Sequence, residues 1–291
     1  MSDDGADGIT LIGFVGSVFS PYYAWARRRG LAEPENHCAL NVALYGAQGG
    51  RWAMTERGRA AVSRSATRLK IGPSAMAWDG SALVIRIDEI TAPWPSRLHG
   101  TVRVRPLVEN SRVFALDAAG RHRWQPIAPL ARVEVTLDRP ARRWSGTGYF
   151  DTNDGDAPLE ADFSRWDWCR AAHPEGATVL YNTYRRDGSA SALALSFAAG
   201  RDVEGRDTPP VAMLPATRWG VGRQTRADAG DAARVAHTLT DAPFYARSVV
   251  QTRLFGRDVT ALHESLSLDR FRAPWVQMML PFRMPRAVGK S

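Results

Sequence analysis

Short runs of β-branched and aromatic residues recur along the 291-residue chain, each closed by a turn signal, and no stretch sustains the 3.6-residue apolar period of a long helix. The runs are His37–Tyr45, Arg51–Thr55, Ala82–Ile90, Gly100–Leu107, Ala131–Leu137 and Thr147–Asp151 in the first half. In the second half they are Phe163–Arg170, Thr178–Tyr184, Ala190–Phe197, Ala216–Gln224, Phe244–Leu254 and Val259–Leu268. Reversals such as Gln48-Gly49-Gly50, Trp78-Asp79-Gly80, His173-Pro174-Glu175-Gly176 and Arg186-Asp187-Gly188 separate them. Parallel strands would need helical crossovers that this pattern does not offer, so the expected fold is all-β, built of antiparallel sandwiches or barrels. At this length two barrel-like units are the economical arrangement. The polar stretch Asn153–Pro158 divides them into 1–155 and 156–291. An alternative break near residue 205, in Gly200–Pro210, leaves a second unit of only about 80 residues, small for an independent core.

Cys38 and Cys169 are the only cysteines, so apolar burial rather than disulfides must hold the core, and a reducing compartment is expected. Hydrophobic residues make up 44% of the chain and charged ones 23%, which excludes intrinsic disorder. The formal charge of +8 points toward an anionic partner. Yet all the basic residues but Lys70 and Lys290 are arginines, they are scattered, and the longest basic tract is Arg27-Arg28-Arg29. No helix-turn-helix, zinc-finger or RNP1 pattern accompanies the charge, so no nucleic-acid partner is expected, while an anionic membrane surface stays a candidate. The acidic, Gly-rich start Met1–Gly8 lacks the basic region of a secretory signal and reads as a loose tail. Ile9–Ala26 follows with 18 uncharged residues, but Gly13, Gly16 and Pro21 make it a poor bilayer span. It suits a strand leading into an aromatic segment, packed in the core or lying at a membrane surface.

The chain has no phosphate loop and no Gly-x-Ser-x-Gly elbow, Gly146-Thr147-Gly148 lacks the third Gly of a dinucleotide site, and no second His follows His263-Glu264 at helical spacing. Asp151–Asp156 has the look of a calcium loop but places Gly155 fifth, where that loop needs its Gly sixth. Neither cofactor nor metal is therefore expected. Two strand motifs remain, His122-Arg123-Trp124 and Gly148-Tyr149-Phe150-Asp151. Alternate residues on a strand share a face, which pairs His122 with Trp124 and Tyr149 with Asp151. On spacing alone, these four are either ordinary core partners or the lining of a cavity that holds a carboxyl, an imidazole, a phenol and an indole.

The stretches Phe14–Arg27, Pro34–Gly46 and Arg51–Gly58, then Gly146–Asn153, Trp166–Trp168 and His263–Phe271, resemble the acyclic carotenoid 1,2-hydratases (hydroxyneurosporene synthases) of phototrophic bacteria, and the likeness covers nearly the whole chain. The resemblance implies two lipocalin-like units in tandem and a cofactor-free hydro-lyase that adds water to the C1=C2 bond of an acyclic C40 carotene, neurosporene or lycopene. It also implies peripheral association with the cytoplasmic side of a membrane, and a site at the matching positions His122, Trp124, Tyr149 and Asp151. Hydrating an isolated alkene requires a proton on C2 and leaves a tertiary cation at C1. Asp151, its pKa raised in an apolar pocket, is the expected acid. Trp124 and secondarily Tyr149 are expected to face the cation, and a neutral His122 to bond the Asp151 carboxyl or orient the water. A ligand carrier of the same architecture and a cofactor-free cyclase are the competing readings, since a fold does not fix a reaction.

Other residues are open to two readings. Glu35, Asn36 and His37 are turn caps or supports for a site, and Trp166 and Trp168 are core or pocket lining. Asp79 belongs to a hairpin turn, and His263 and Glu264 read as strand surface. Pro274–Phe282 is expected as a last strand or as the rim of an entrance.

Overall fold

The computed structural model describes residues 1–287. Strands hold 57% of the chain and helices 11%, in several antiparallel sheets. In chain order the strands are β1 (Asp7–Val15), β2 (Cys38–Gly46), β3 (Arg51–Met54), β4 (Val62–Ser65), β5 (Arg68–Ile71), β6 (Ser74–Trp78), β7 (Leu83–Ile90), β8 (Arg97–Val108), β9 (Phe114–Ala115) and β10 (His122–Arg139). They continue as β11 (Ala141–Gly155), β12 (Phe163–His173), β13 (Gly176–Arg185), β14 (Ala190–Ala198), β15 (Glu204–Gly205), β16 (Val211–Leu214), β17 (Arg223–Arg226), β18 (Arg234–Asp241), β19 (Tyr245–Leu254) and β20 (Arg257–Ser267). The α-helices are α1 (Pro21–Arg28), α2 (Leu159–Asp162), α3 (Leu268–Arg272) and α4 (Pro274–Arg283).

Strands β1 to β3 form one sheet, and a larger one runs β11-β10-β8-β7-β6-β5-β4 with β9 beside β10. A seven-stranded sheet runs β15-β14-β13-β12-β20-β19-β18, and β16 pairs with β17. The all-β class is as expected; the sheets are open, and among the described residues none closes into a barrel. Contacts group the chain into two units. One comprises Met1–Pro106, Ala131–Gly148 and the segment from Gln277, and the other Leu107–Leu130 and Tyr149–Val276. Neither is one continuous stretch, because β10 and β11 each contribute a half to either unit. Burial along β10 changes phase at that junction: His122, Trp124, Pro126 and Ala128 are buried before it, and Ala131, Val133, Val135 and Leu137 after it.

In the second unit the seven-stranded sheet presents two distinct faces, since residues opposite one another across antiparallel strands share a side. Asp167–Ser265, Cys169–His263 and Ala171–Ala261 are paired on one face, and Trp166–Leu266, Trp168–Glu264 and Arg170–Leu262 on the other. The first face carries the apolar cluster of Cys169, Ala171, Leu180, Ala194, Leu254 and Ala261.

Several local expectations are corrected. The aromatic segment after β1 is helix α1: Ser20 caps it by accepting the Tyr23 N–H, Pro21 opens it, and Arg27 and Arg28 close it, all favourable terminal choices. Pro274–Phe282 is not a strand but most of α4, with Pro274 at its start and good helix formers behind it. Ala216–Gln224 is strand only from Arg223, because Thr217–Gly220 makes a turn with Gly220 at φ +76°. The start of the chain is not loose: the Met1 ammonium donates to the Thr147 carbonyl (3.1 Å), and Asp3 pairs with Arg132 (2.6 Å). No helix among the described residues is long and apolar enough to cross a membrane.

Candidate active site

Strand β11 places Tyr149 and Asp151 on one side, two residues apart, and β10 brings Trp124 to the same carboxyl. The Trp124 Nε1–H donates to Asp151 Oδ2 (2.9 Å) and to Tyr149 Oη (3.0 Å), while the Tyr149 hydroxyl donates to the same Oδ2 at 2.9 Å. A third, longer donor is the Asn153 amide at 3.4 Å. The seven-stranded sheet supplies an aromatic wall. Tyr149 packs on Trp168 with ring centroids 5.0 Å apart, and Trp124 on Tyr181 at 5.2 Å. Trp168 and Tyr181 stand directly opposite one another in β12 and β13, and Trp166 meets the edge of Tyr181 at 6.0 Å.

Asp151 and Tyr149 are set deep among protein groups yet keep some accessible surface, which leaves a face for a reactant. Burial disfavours the carboxylate and pushes the Asp151 pKa up to about 6. The Trp124 and Tyr149 hydrogen bonds oppose that rise, and the negative charge of Glu264 adds to it. Burial, and then the charge of Asp151, hold the Tyr149 and Tyr181 phenols well above their ordinary value, so both remain donors at neutral pH. On the same face of β12, Arg170 is buried with its Nε–H on the Pro129 carbonyl (3.0 Å), and burial lowers its pKa to about 10.

Trp124, Tyr149 and Asp151 therefore come together as one hydrogen-bonded group. His122 lies two residues from Trp124 on the same strand face, but its imidazole Nε2 meets Asp162 at 2.6 Å, not the Asp151 carboxyl. Its backbone N–H is bound to Asp117 (2.8 Å), and Phe163 meets its ring edge-on. Gly155 keeps β11 close, since a Cβ there would fall 2.9 Å from the His122 Nδ1. Trp124 also differs from expectation: it has no exposed surface, and Phe114 and Tyr181 pack against its ring, so it offers the site an N–H and not a π-face.

The model of the family described as carotenoid hydratase CrtC matches residues 11–291. The chain is 58% identical to an acyclic carotenoid 1,2-hydratase of Thiocapsa roseopersicina, over 99% of this chain and 72% of that one. The protein of the same name from Rubrivivax gelatinosus is 48% identical over 98% and 71%, and that from Cereibacter sphaeroides 45% identical over 97% and 99%. The chain belongs to the carotenoid hydratase CrtC family. Among solved structures, the crystal structure of CghA with Sch210972 matches at a TM-score of 0.48 and 12% identity, covering 80% of this chain and 84% of that one, a likeness too distant to carry an argument.

The other singled-out residues of this carotenoid hydratase family member fall outside the Trp124–Tyr149–Asp151 group. Asp154 and Asp156 both pair with Arg123. His37 Nδ1 lies 3.0 Å from Glu56 and 3.1 Å from Arg286, Asn36 receives Arg286 as well, and Glu35 pairs with Arg59, all within the first unit. Asp79 accepts the Ser81 and Ala82 N–H groups in its hairpin turn. His263 is not strand surface: it is fully buried, donates to the Gln224 carbonyl (2.8 Å), and has its pKa lowered to about 4 by burial. Beside it Asp167 accepts the Ser265 hydroxyl at 2.5 Å and is pushed up to about 6, again by burial. This cluster occupies the opposite face of the sheet from Trp168. Tyr181 and Arg170 were not foreseen, because only strand register brings them beside Trp168, and Asp162 was not, because helix α2 carries it to His122.

Proposed function

We propose that this chain adds water to the C1=C2 bond of an acyclic carotene, neurosporene or lycopene, and that Asp151 is the acid. The observation that carries this reading is a carboxyl raised by burial and gripped on one oxygen by two donors. Because Oδ2 accepts from both Trp124 and Tyr149, the acidic proton resides on Oδ1. Oδ1–H protonates C2 with the alkene electron pair, a tertiary cation forms at C1, and water closes the C–O bond and releases a proton. As Asp151 becomes a carboxylate, the Trp124 and Tyr149 hydrogen bonds strengthen, so they favour the transition state over the resting acid. The half-buried ring of Tyr149 is the aromatic surface placed to face the cation, a contact worth roughly 0.5–2 kcal/mol. Near pH 7 about one carboxyl in ten carries its proton if the pKa is about 6, and seating an apolar chain against it raises that share.

We further propose peripheral contact with the cytoplasmic membrane surface, where such a substrate resides. Trp94, Met278 and Phe282 are 84%, 69% and 76% exposed, and Trp25 lies under Arg29 at 3.8 Å, a pairing of aromatic and cation suited to a headgroup region. Flotation with anionic liposomes tests it, and failure of the protein to float would remove this part.

The chemistry is tested by anaerobic incubation with lycopene in detergent and H2-18O, without added cofactor, followed by mass analysis. Labelled oxygen in a tertiary alcohol is expected, and Asp151→Asn is expected to lose about 10²–10⁴ in rate. Bound but unchanged lycopene, also after liposomes are supplied, would point to a carrier, and a cyclised product to a cyclase.

A further inference from the structure

Capture of the cation by water releases a second proton, and that proton needs an acceptor. Across the aromatic wall the structure holds a second carboxyl. Glu264 of β20 stands directly opposite Trp168, on the flank of that indole away from Tyr181, and Trp168 is the ring on which Tyr149 packs. Paired residues on neighbouring antiparallel strands bring their Cβ atoms within about 4.5–5.5 Å, so Glu264, Trp168 and Tyr181 form one row on the face that meets Asp151 and Tyr149. One Glu264 oxygen is bound by the guanidinium of Arg247, its partner across β19, and Arg247 is itself fixed by the Tyr245 hydroxyl at 2.9 Å. Arg247 is nearly fully covered, while the Glu264 side chain is 20% exposed, so the carboxylate retains access to water.

We propose that Glu264 is the base of the hydration, holding the attacking water and accepting its proton as the C–O bond forms. This rests on the reading of Asp151 as the acid. Per turnover, Asp151 gives one proton to C2, a water oxygen bonds to C1, and the second proton of the addition passes from that water to Glu264. The proton then returns from Glu264 to Asp151 through solvent, so alkene plus water gives alcohol with the protein unchanged. Two carboxyls whose surroundings differ, one without a cation partner and one paired to Arg247, divide the acid and base roles. Arg247 pairs with Glu264 and is itself held by Tyr245, both from β19, and the Glu264 charge also acts on Tyr181 of β13 and Asp151 of β11, while Arg170 of β12 lies on the same sheet face.

The test compares Glu264→Gln, Glu264→Asp and the double variant Arg247→Met/Glu264→Gln, measuring carotene binding and kcat from pH 4 to 9. Expected are a 10²–10⁴-fold lower kcat in Glu264→Gln with carotene still bound, and partial return of kcat in Glu264→Asp. If Glu264→Gln does not fold, the double variant, which also removes the Arg247 guanidinium, is expected to fold and to show the same loss. Wild-type-like turnover in either Gln variant overturns the proposal and reduces Glu264 to a counter-ion for Arg247. Asp151→Asn keeps the two readings apart: inactive Asp151→Asn beside active Glu264→Gln removes the base alone, whereas active Asp151→Asn removes the acid.

Discussion

Replacing Tyr149 by Phe deletes one hydroxyl and leaves the ring, and its effect on the acid has a counterintuitive sign. The hydroxyl donates to Asp151 Oδ2 at 2.9 Å, and such a bond to a charged group is worth about 1.5–3 kcal/mol. The bond favours the carboxylate, so its loss raises the Asp151 pKa by roughly 1–2 units at 1.36 kcal/mol per unit. Trp124 stays in place and takes up part of the loss, which favours the lower figure, a move from about 6 to about 7. In kcat/KM, which reports the free enzyme, the alkaline limb shifts upward by about one pH unit. Its plateau below pH 6 falls at the same time, because one of the donors that stabilises the emerging carboxylate is gone. The assay follows 1-hydroxy carotenoid from detergent-dispersed lycopene at pH 5 to 9, with 13C-carboxyl NMR titration of Asp151 alongside. At pH 8 the protonated fraction rises from about 1% to about 10% for a one-unit shift, so the variant loses least where the wild type is slowest. A uniform loss at every pH, with the limb unmoved, would refute Asp151 as the titrating acid.

Trp124→Phe is expected to move the same limb in the same direction, and also to destabilise the fold, because the fully covered indole leaves a void; thermal melting and the pH profile separate the two effects. Asp162→Ala leaves the buried His122 without its 2.6 Å partner and is expected to cost about 1–3 kcal/mol in denaturant unfolding, whereas no change would mean that the pair is idle. Burial raises the Asp167 pKa from 3.8 to about 6, so the folded chain binds that proton more tightly than the unfolded chain, and stability declines as pH rises between those values. The full penalty, roughly 3 kcal/mol, stands above pH 6, and Asp167→Asn is expected to recover part of it at pH 8 and little at pH 4. A gain independent of pH in calorimetry would contradict that origin.

The strand content was legible because alternation and turn residues are local signals. The helices were not, although α1 carries a Ser cap and an opening Pro, since the aromatic run Pro21–Trp25 outweighed them. Nor does any local pattern reveal that the units interleave. The cue lies in β10, where the buried positions pass from even to odd between Ala128 and Ala131, and that shift reads as a fault in one strand until both halves have a core to face.

The site divides along the same line. Tyr149 and Asp151 share a strand face by spacing, and the indole Trp124 matches the family's motif, so these three could be named from the chain alone. What could not be read was direction: a covered indole offers its N–H rather than its ring, and His122, two residues along the same face, is taken by Asp162. Tyr181, Trp168 and Glu264 stand in one row only because β13, β12 and β20 are neighbours in a particular register, and a slip of one residue would have turned all three to the face occupied by His263 and Asp167. The sheet thus separates two acidic clusters that sequence alone cannot tell apart. Asp167, with Ser265 and His263, is sealed against the β16–β17 hairpin by the Gln224 carbonyl bond, while Asp151 keeps an accessible face beside a cation-paired glutamate. Both carboxyls are raised to about 6 by burial, so it is access rather than acidity that singles out Asp151 for the proposed role of acid.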